Sequence, residues 1–295
     1  MVVAATGFFD GVHLGHRIVL DKVKELAKEQ GKESAIISFW PHPRNVLQKD
    51  AESLRLLSSL DEKRELIKSL GIDNFYIIPF TKQLSQLSQE QFLKEYLVDK
   101  FDVSTLVIGY DHRVGKDAGN DPNKVAKLAR SMGVESYVTN ALNLNSSAVS
   151  STKIRNLLSG GEVNEASELL GYDYFLKGVV VAGNKIGRTI GFPTANMQLY
   201  EPIKLVPKKG VYVVKVSVIG EEYIGVCNIG NRPTIGNNNS LTIETYILGF
   251  SENIYGLDIK IEFLEKIRDE KKFESLEMLK EQLIKDSSMA LKFLD

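Results

Sequence analysis

The sequence is short of cysteine. Among 295 residues Cys227 is the single thiol, which excludes an internal disulfide and fits a reducing cytoplasm. It also lacks a surplus of charge. Lys and Arg number 37 against 38 Asp and Glu, a formal net charge of -1, so neither nucleic acid nor a membrane surface is expected as a partner. No apolar run is long enough to span a bilayer. The opening "MVVAAT" lacks the basic segment and apolar length of a signal peptide and reads as a first strand. What is present, 43% hydrophobic and 25% charged residues, is the balance of a globular chain with room for two domains.

Up to about Tyr172 strands and helices alternate. "VVAAT", "SAIISFW", "NFYIIPF", "STLVIG" and "VESYVT" read as buried strands. The helices between them carry start signals: Ser88 and Gln91 stand at capping-box spacing, and Asp121 precedes Pro122 at a first helical position. Val19, Val23, Leu26 and Ala27 fall on one face of the first helix. This pattern predicts a doubly wound parallel sheet (α/β) with ligands at the C-terminal ends of its strands.

From Phe175 onward, strand-like segments are joined by turns. In "LDIKIEF", Leu257, Ile259, Ile261 and Phe263 alternate with Asp258, Lys260 and Glu262, the period of a half-exposed antiparallel sheet. A small antiparallel β-barrel is expected, followed by a terminal helix with Phe273, Leu276, Leu279 and Leu283 on one stripe. "SGGEVNEASELLGYDY" is the natural join, giving domains 1–172 and 173–295.

All four histidines sit next to predicted strand ends. His13 and His16 lie in "TGFFDGVHLGH", His42 in "FWPHPR" and His112 in "GYDHRVGK". Gly7, Gly11 and Gly15 permit close backbone approach to a ligand, and a helix N-terminus favours phosphate. "SSTKIR" adds Ser151, Thr152 and Arg155 at the start of another helix. The residues alone also admit a glycine-rich turn with two surface histidines. Zinc is a further option for an H-x-x-H pair, although no cysteine or acid stands at ligand spacing.

"VVAGNKIGRTIGFPTANM" contains no P-loop or dinucleotide fingerprint. Gly183, Gly187 and Gly191 allow a backbone loop around phosphates, with Lys185 and Arg188 supplying charge. Thr194 and Asn196 offer neutral oxygens to a Mg²⁺ brought by ATP. A glycine-rich hairpin ending at a proline turn is the alternative. Glu244, on the strand face opposite Ile243, Thr245 and Ile247, reads either as a surface glutamate or as a base that accepts a hydroxyl proton during phosphoryl transfer.

"GFFDGVHLGH" with a later "SSTKIR" resembles the H-x-G-H nucleotidyltransferase superfamily. With "PHPR" and "GYDHRVGK", these strings are similar to the adenylyltransferase half of the bacterial bifunctional riboflavin kinase/FMN adenylyltransferase family. "GRTIGFPTAN", "KKGVYVV", "GVCNIGNRPT", "IETYIL", "IYG" and "IRDEKKF" follow in the order of that family's kinase half, a six-stranded barrel. The resemblance implies riboflavin, FMN and ATP as substrates, with Mg²⁺ accompanying ATP and FMN and FAD as products. It implies that His13, His16, Ser151, Thr152 and Arg155 stabilise adenylyl transfer. Gly7, Phe9, Gly11 and Gly15 count with the nucleotide-binding set, and Asp111 as a polar contact. For the kinase it implies Thr194 and Asn196 at the metal, Glu244 as base, and Arg268 and Phe273 near the isoalloxazine ring.

The sequence departs from the family's usual residues at several points. His112 and Val114 each stand where most relatives have Phe, Phe8 where Asn is frequent, and Tyr246 where His is usual. The chain begins at its first strand, without the short leader of many relatives. A flavin-binding regulator that kept the scaffold and lost turnover is the rival from another class. A pure binder, however, needs no base.

Overall fold

The computed structural model describes residues 1–47, 54–110, 112–117, 119, 121–144, 147–183, 186–232 and 240–294. Asp111 and Lys185 therefore lie outside the described residues. The chain divides into two compact units, Met1–Ser151 and Thr152–Asp295.

In the first unit, β1 (Val2–Thr6), β2 (Glu33–Trp40), β3 (Asn74–Pro79), β4 (Val103–Ile108) and β5 (Glu135–Val138) form one sheet in the order β3-β2-β1-β4-β5. Every pairing is parallel. The helices are α1 (Leu14–Gln30), α2 (Pro43–Leu47), α3 (Leu60–Ser69), α4 (Gln89–Phe92) and α5 (Pro122–Ser131). α4 runs on into a π-helical stretch, Leu93–Val98. A two-residue ladder, β6 (Asn143–Leu144) with β7 (Ser147–Ala148), follows β5.

β1 shows why a parallel strand reads as one unbroken apolar run. Val3 and Ala5 pack with Val19, Leu20, Val23 and Leu26 of α1 and Ile67 of α3. Val2 and Ala4 pack on the other face with Phe92, Leu93 and Leu97 and with Val125 and Ala129 of α5. Both faces are covered, so alternation vanishes. Each buried aliphatic side chain contributes roughly 1.5–3 kcal/mol. The expected caps at Ser88 and Asp121 are present, and Ser59 adds one that was not expected. Ser59 and Glu62 form a reciprocal capping box at α3, Ser88 and Gln91 another at α4, and Asp121 accepts from the Asn123 amide at α5. Strand order reverses between β1 and β4, and the crevice at their C-terminal ends is where such sheets take ligands.

The second unit contains α6 (Ser151–Gly160) from Thr152 onward, then α7 (Val163–Leu170), followed by a closed barrel. Its strands are β8 (Phe175–Val181), β9 (Thr194–Leu199), β10 (Gly210–Val218), β11 (Glu221–Arg232), β12 (Ser240–Ile247) and β13 (Asp258–Arg268). They close in the order β10-β11-β12-β9-β8-β13. α8 (Ile186–Thr189) lies between β8 and β9, and α9 (Leu276–Ala290) ends the fold before a short 3₁₀ turn. Val211 and Val213 of β10 pack with Ala290 of α9. The alternate residue Tyr212 meets Phe263 edge-on at 5.3 Å.

Three details depart from expectation. β9 is a full strand, although "TANMQL" has too few apolar residues to read as one. Leu257 is 42% exposed because β13 starts one residue later, after Gly256 with φ 78. Phe273 precedes α9, and Leu276 is 50% exposed. The burial that holds α9 comes instead from Asp286 and Ala290. No helix among the described residues is long and apolar enough to cross a membrane.

Candidate active sites

The first site is the turn from β1 into α1. Phe9, Gly11 and Val12 take φ values of 53, 77 and 40. Left-handed backbone is costly for a β-branched residue and persists only where surroundings over-determine it. The turn delivers His13 to the N-cap of α1, where its Nδ1 accepts the His16 amide at 3.3 Å. With Nδ1 accepting, Nε2 is the His13 ring nitrogen that carries a hydrogen. The His13 and His16 rings stack at 3.6 Å between centroids. Gly15 suits that geometry, since a Cβ would crowd the His13 ring at 3.2 Å and the Val149 carbonyl at 3.3 Å.

Burial, with the nearby His13 and Lys63, holds the His16 pKa well below its ordinary 6.5. Its buried Nδ1 has no hydrogen-bond partner among the described residues. A neutral imidazole with an orphaned polar atom at a helix N-terminus suits an anionic ligand. Ser151 joins this site, donating its hydroxyl to the Asp10 carbonyl at 3.0 Å. Thr152 and Arg155 follow in α6 and belong to the second compact unit. Gly7 sits under the Phe9 ring, where a Cβ would meet the ring at 3.0 Å.

The other two histidines reach the same string. His112 Nε2 lies 2.6 Å from Thr6 Oγ1, linking the ends of β1 and β4. Burial pushes its pKa down to about 4. His42 meets the Phe8 ring edge-on at 4.2 Å. Sequence reading missed what holds the turn from below. Asp10 is 4% exposed and accepts the amides of Leu57 and Ser58, while Gly11 donates to Ser58 Oγ. The capping box at Ser59 was the one available sign that this segment enters a fixed structure.

The second site lies on the barrel. In the β12–β9 pairing, Glu244 stands opposite Asn196 and Tyr246 opposite Thr194. Ile243, Thr245 and Ile247 are buried on the other face. Thr194 Oγ1 lies 3.5 Å from Glu244 Oε2. Asn196 is 7% exposed and its amide packs on Gly183, where a Cβ would come within 2.2 Å of Nδ2. Gly187 is similarly constrained, since its Cβ would meet the Phe192 carbonyl at 2.2 Å. A cavity of about 380 Å³ adjoins the pair, lined by Arg188, Ile247, Phe250 and Tyr255 as well as Thr194 and Asn196. A hydroxyl, an amide oxygen and a carboxylate are hard oxygen donors, a set that fits Mg²⁺.

Arg268 is engaged elsewhere. Its guanidinium binds the fully buried carboxylate of Asp286 at 2.8 Å and lies 5.8 Å from the Phe273 ring centroid.

Two family models match the chain, FAD synthetase over residues 1–153 and riboflavin kinase over residues 170–294. The chain belongs to the bifunctional riboflavin kinase/FMN adenylyltransferase family. The family member of that name from Listeria monocytogenes is 42% identical over 284 residues, covering 96% of this chain and 90% of the relative. The Bacillus subtilis member is 39% identical, covering 99% and 92%, and that of Escherichia coli K12 is 33% identical with the same coverage. A solved structure from Streptococcus pneumoniae, described as a macrolide-efflux protein, superposes with a TM-score of 0.89 at 28% identity, covering 98% of this chain and 93% of that one.

Proposed function

We propose that each half of the family's two-step reaction is carried by the residues gathered at these two sites, adenylyl transfer by 1–172 and riboflavin phosphorylation by 173–295. The enzyme phosphorylates riboflavin with ATP, giving FMN and ADP. It then adenylylates FMN with a second ATP, giving FAD and pyrophosphate. The order of the two matched domains along the chain supports this reading.

In the kinase, Glu244 accepts the proton of the ribityl 5′-hydroxyl as that oxygen attacks the γ-phosphate. Thr194 and Asn196 would hold Mg²⁺, and a bound Mg²⁺ neutralises charge on the phosphate oxygens. Arg188 supplies a further cation, with Gly183 and Gly187 beside it, and Lys185 is assigned with them to nucleotide binding. The adjoining cavity is large enough to take part of the nucleotide. The observation that carries this reading is the register pairing of Glu244 with Asn196, which sets the two side chains on one face of two adjacent strands and so supports a base beside a metal ligand.

In the adenylyltransferase, an FMN phosphate oxygen attacks the α-phosphate of ATP. Both nucleophile and leaving group already carry charge, so positioning and electrostatic stabilisation do most of the work. His13 donates through Nε2. His16, Ser151, Thr152 and Arg155 complete the set that stabilises the transition state and the departing pyrophosphate. Gly7, Phe9, Gly11 and Gly15 give the backbone its approach to the nucleotide, with Asp111 as a polar contact. Arg268 and Phe273 help enclose the flavin of the kinase site. A single thiol supports a cytoplasmic setting.

A time course with riboflavin, ATP and Mg²⁺, resolving riboflavin, FMN and FAD by chromatography, tests the scheme. FMN should rise first and FAD follow. FMN alone would remove the histidine-bearing turn from the assignment, and no conversion would favour a flavin-binding protein.

A further inference from the structure

Lys63 is 0% exposed, although "DEKRE" reads as a solvated helix surface. A lysine is almost never fully buried without partners. Its ammonium donates to the Phe8 carbonyl and lies 3.5 Å from the Phe8 ring centroid. Ser38 Oγ donates to the same carbonyl at 3.2 Å. Just upstream, the amides of Leu57 and Ser58 bind the Asp10 carboxylate, and Ser58 Oγ accepts the Gly11 amide at 3.0 Å. The segment from Leu57 to Lys63 thus grips Phe8, Asp10 and Gly11. Those residues flank Phe9 and lead directly into Val12, both of which have positive φ. The contacts are specific to that strained conformation, and they are what would over-determine it.

Lys63 acts electrostatically as well. Its charge is one of the causes that hold His16 neutral. It is too deeply enclosed to reach substrate, so any effect on the reaction passes through the turn and through His16.

We propose that Lys63 is a positioning residue for adenylyl transfer, its buried ammonium fixing the Phe8 carbonyl and placing a positive charge beside the His13–His16 pair. This rests on the reading of that turn as the adenylyl-transfer site. Burial lowers the Lys63 pKa to about 7, with the Asp10 carboxylate opposing the shift. The titratable groups facing it are Asp10 on the turn and His16 on α1, while Phe8 and Ser38 present neutral atoms. The ammonium is therefore present below pH 7 and is lost as pH rises through that value. Bound ATP brings negative charge that favours the ammonium. The alkaline decline consequently belongs to the free enzyme and appears in kcat/KM rather than kcat.

The test uses the full chain with FMN, ATP and Mg²⁺, following FAD across neutral to alkaline pH, with riboflavin phosphorylation as the control. Lys63→Gln should lower kcat/KM for adenylyl transfer by about 100-fold and leave phosphorylation within about twofold. Lys63→Arg, which stays charged, should recover much of the rate and lose the Lys63 component of the alkaline decline. Adenylyl transfer by Lys63→Gln within about twofold of the unmodified enzyme would overturn the proposal. So would an unchanged pH profile in Lys63→Arg, which decides alone if Lys63→Gln does not fold. His16→Ala separates the two readings. If it abolishes FAD synthesis while Lys63→Gln does not, the inference fails and the site stands. If His16→Ala makes FAD normally, the site assignment itself fails.

Discussion

Gly183 packs directly against the side chain of Asn196: a Cβ at position 183 would stand 2.2 Å from Nδ2 and 2.6 Å from Oδ1. Neither atom is the far end of a long flexible chain, because Asn196 is fixed on β9 opposite Glu244. Gly183→Ala should therefore push the Asn196 amide off its position by a large fraction of an ångström. Displacements of that order at a reacting centre cost about 100-fold. Riboflavin phosphorylation should fall by that amount while FAD synthesis from supplied FMN continues. Initial rates of both reactions check this, and an unimpaired kinase would mean Asn196 does not set the geometry of the phosphoryl site.

Glu244→Gln keeps the shape of the strand and removes the proton acceptor. Loss of a general base typically costs about 100-fold to 10,000-fold. FMN formation should fall within that range and FMN-to-FAD conversion should be unchanged. Retention of near-normal phosphorylation would reduce Glu244 to a neighbour of Thr194.

The residues of both candidate sites stood out in the sequence because they break local expectations. Histidines beside glycines after an apolar strand, and a glutamate in a neutral strand, are visible without a fold. The five parallel strands and the caps at Ser88 and Asp121 were legible for the same reason, since each depends on residues close in sequence. What escaped depends on distant partners. Lys63 is buried because Phe8, 55 residues upstream, presents a carbonyl to it, and no periodicity signals that. β9 was hidden because Ala195 and Met197 are its only buried hydrophobic residues, too few to read as a strand. Arg268 reads as a free cation until α9 brings Asp286 against it.

His112 carries a pH signature. Burial lowers its pKa from 6.5 to about 4, so between those values the unfolded chain binds the proton that the folded chain refuses. The stabilisation is complete above 6.5 and is lost progressively as pH falls through about 4. His112→Phe loses the Thr6 hydrogen bond at every pH but removes this titration. Its melting temperature should start lower at neutral pH and then fall less steeply on acidification than that of the unmodified enzyme, with His16 keeping some slope in both. Melting curves through the mildly acidic range check it. Parallel profiles would show that His112 is not held neutral by the fold.

The Arg268–Asp286 pair tests how α9 is held. Asp286 is 0% exposed and Arg268 20% exposed by side chain. Gln282 also donates to Asp286 at 2.8 Å. Removing one partner of a buried pair typically costs about 3–5 kcal/mol, because the other charge is left without compensation. The two deletions are not equivalent here. In Asp286→Ala the arginine is already at the surface and its guanidinium can turn to water, so the cost should sit at or below the lower end. In Arg268→Ala the carboxylate stays enclosed with Gln282 alone, so the loss should be the larger of the two. Replacing both residues with apolar ones of similar volume should cost less than Arg268→Ala, since no buried charge remains. Denaturant unfolding of the three variants measures the order directly. If Asp286→Ala proves the most destabilising, α9 is held by contacts of the carboxylate that the ion pair does not account for.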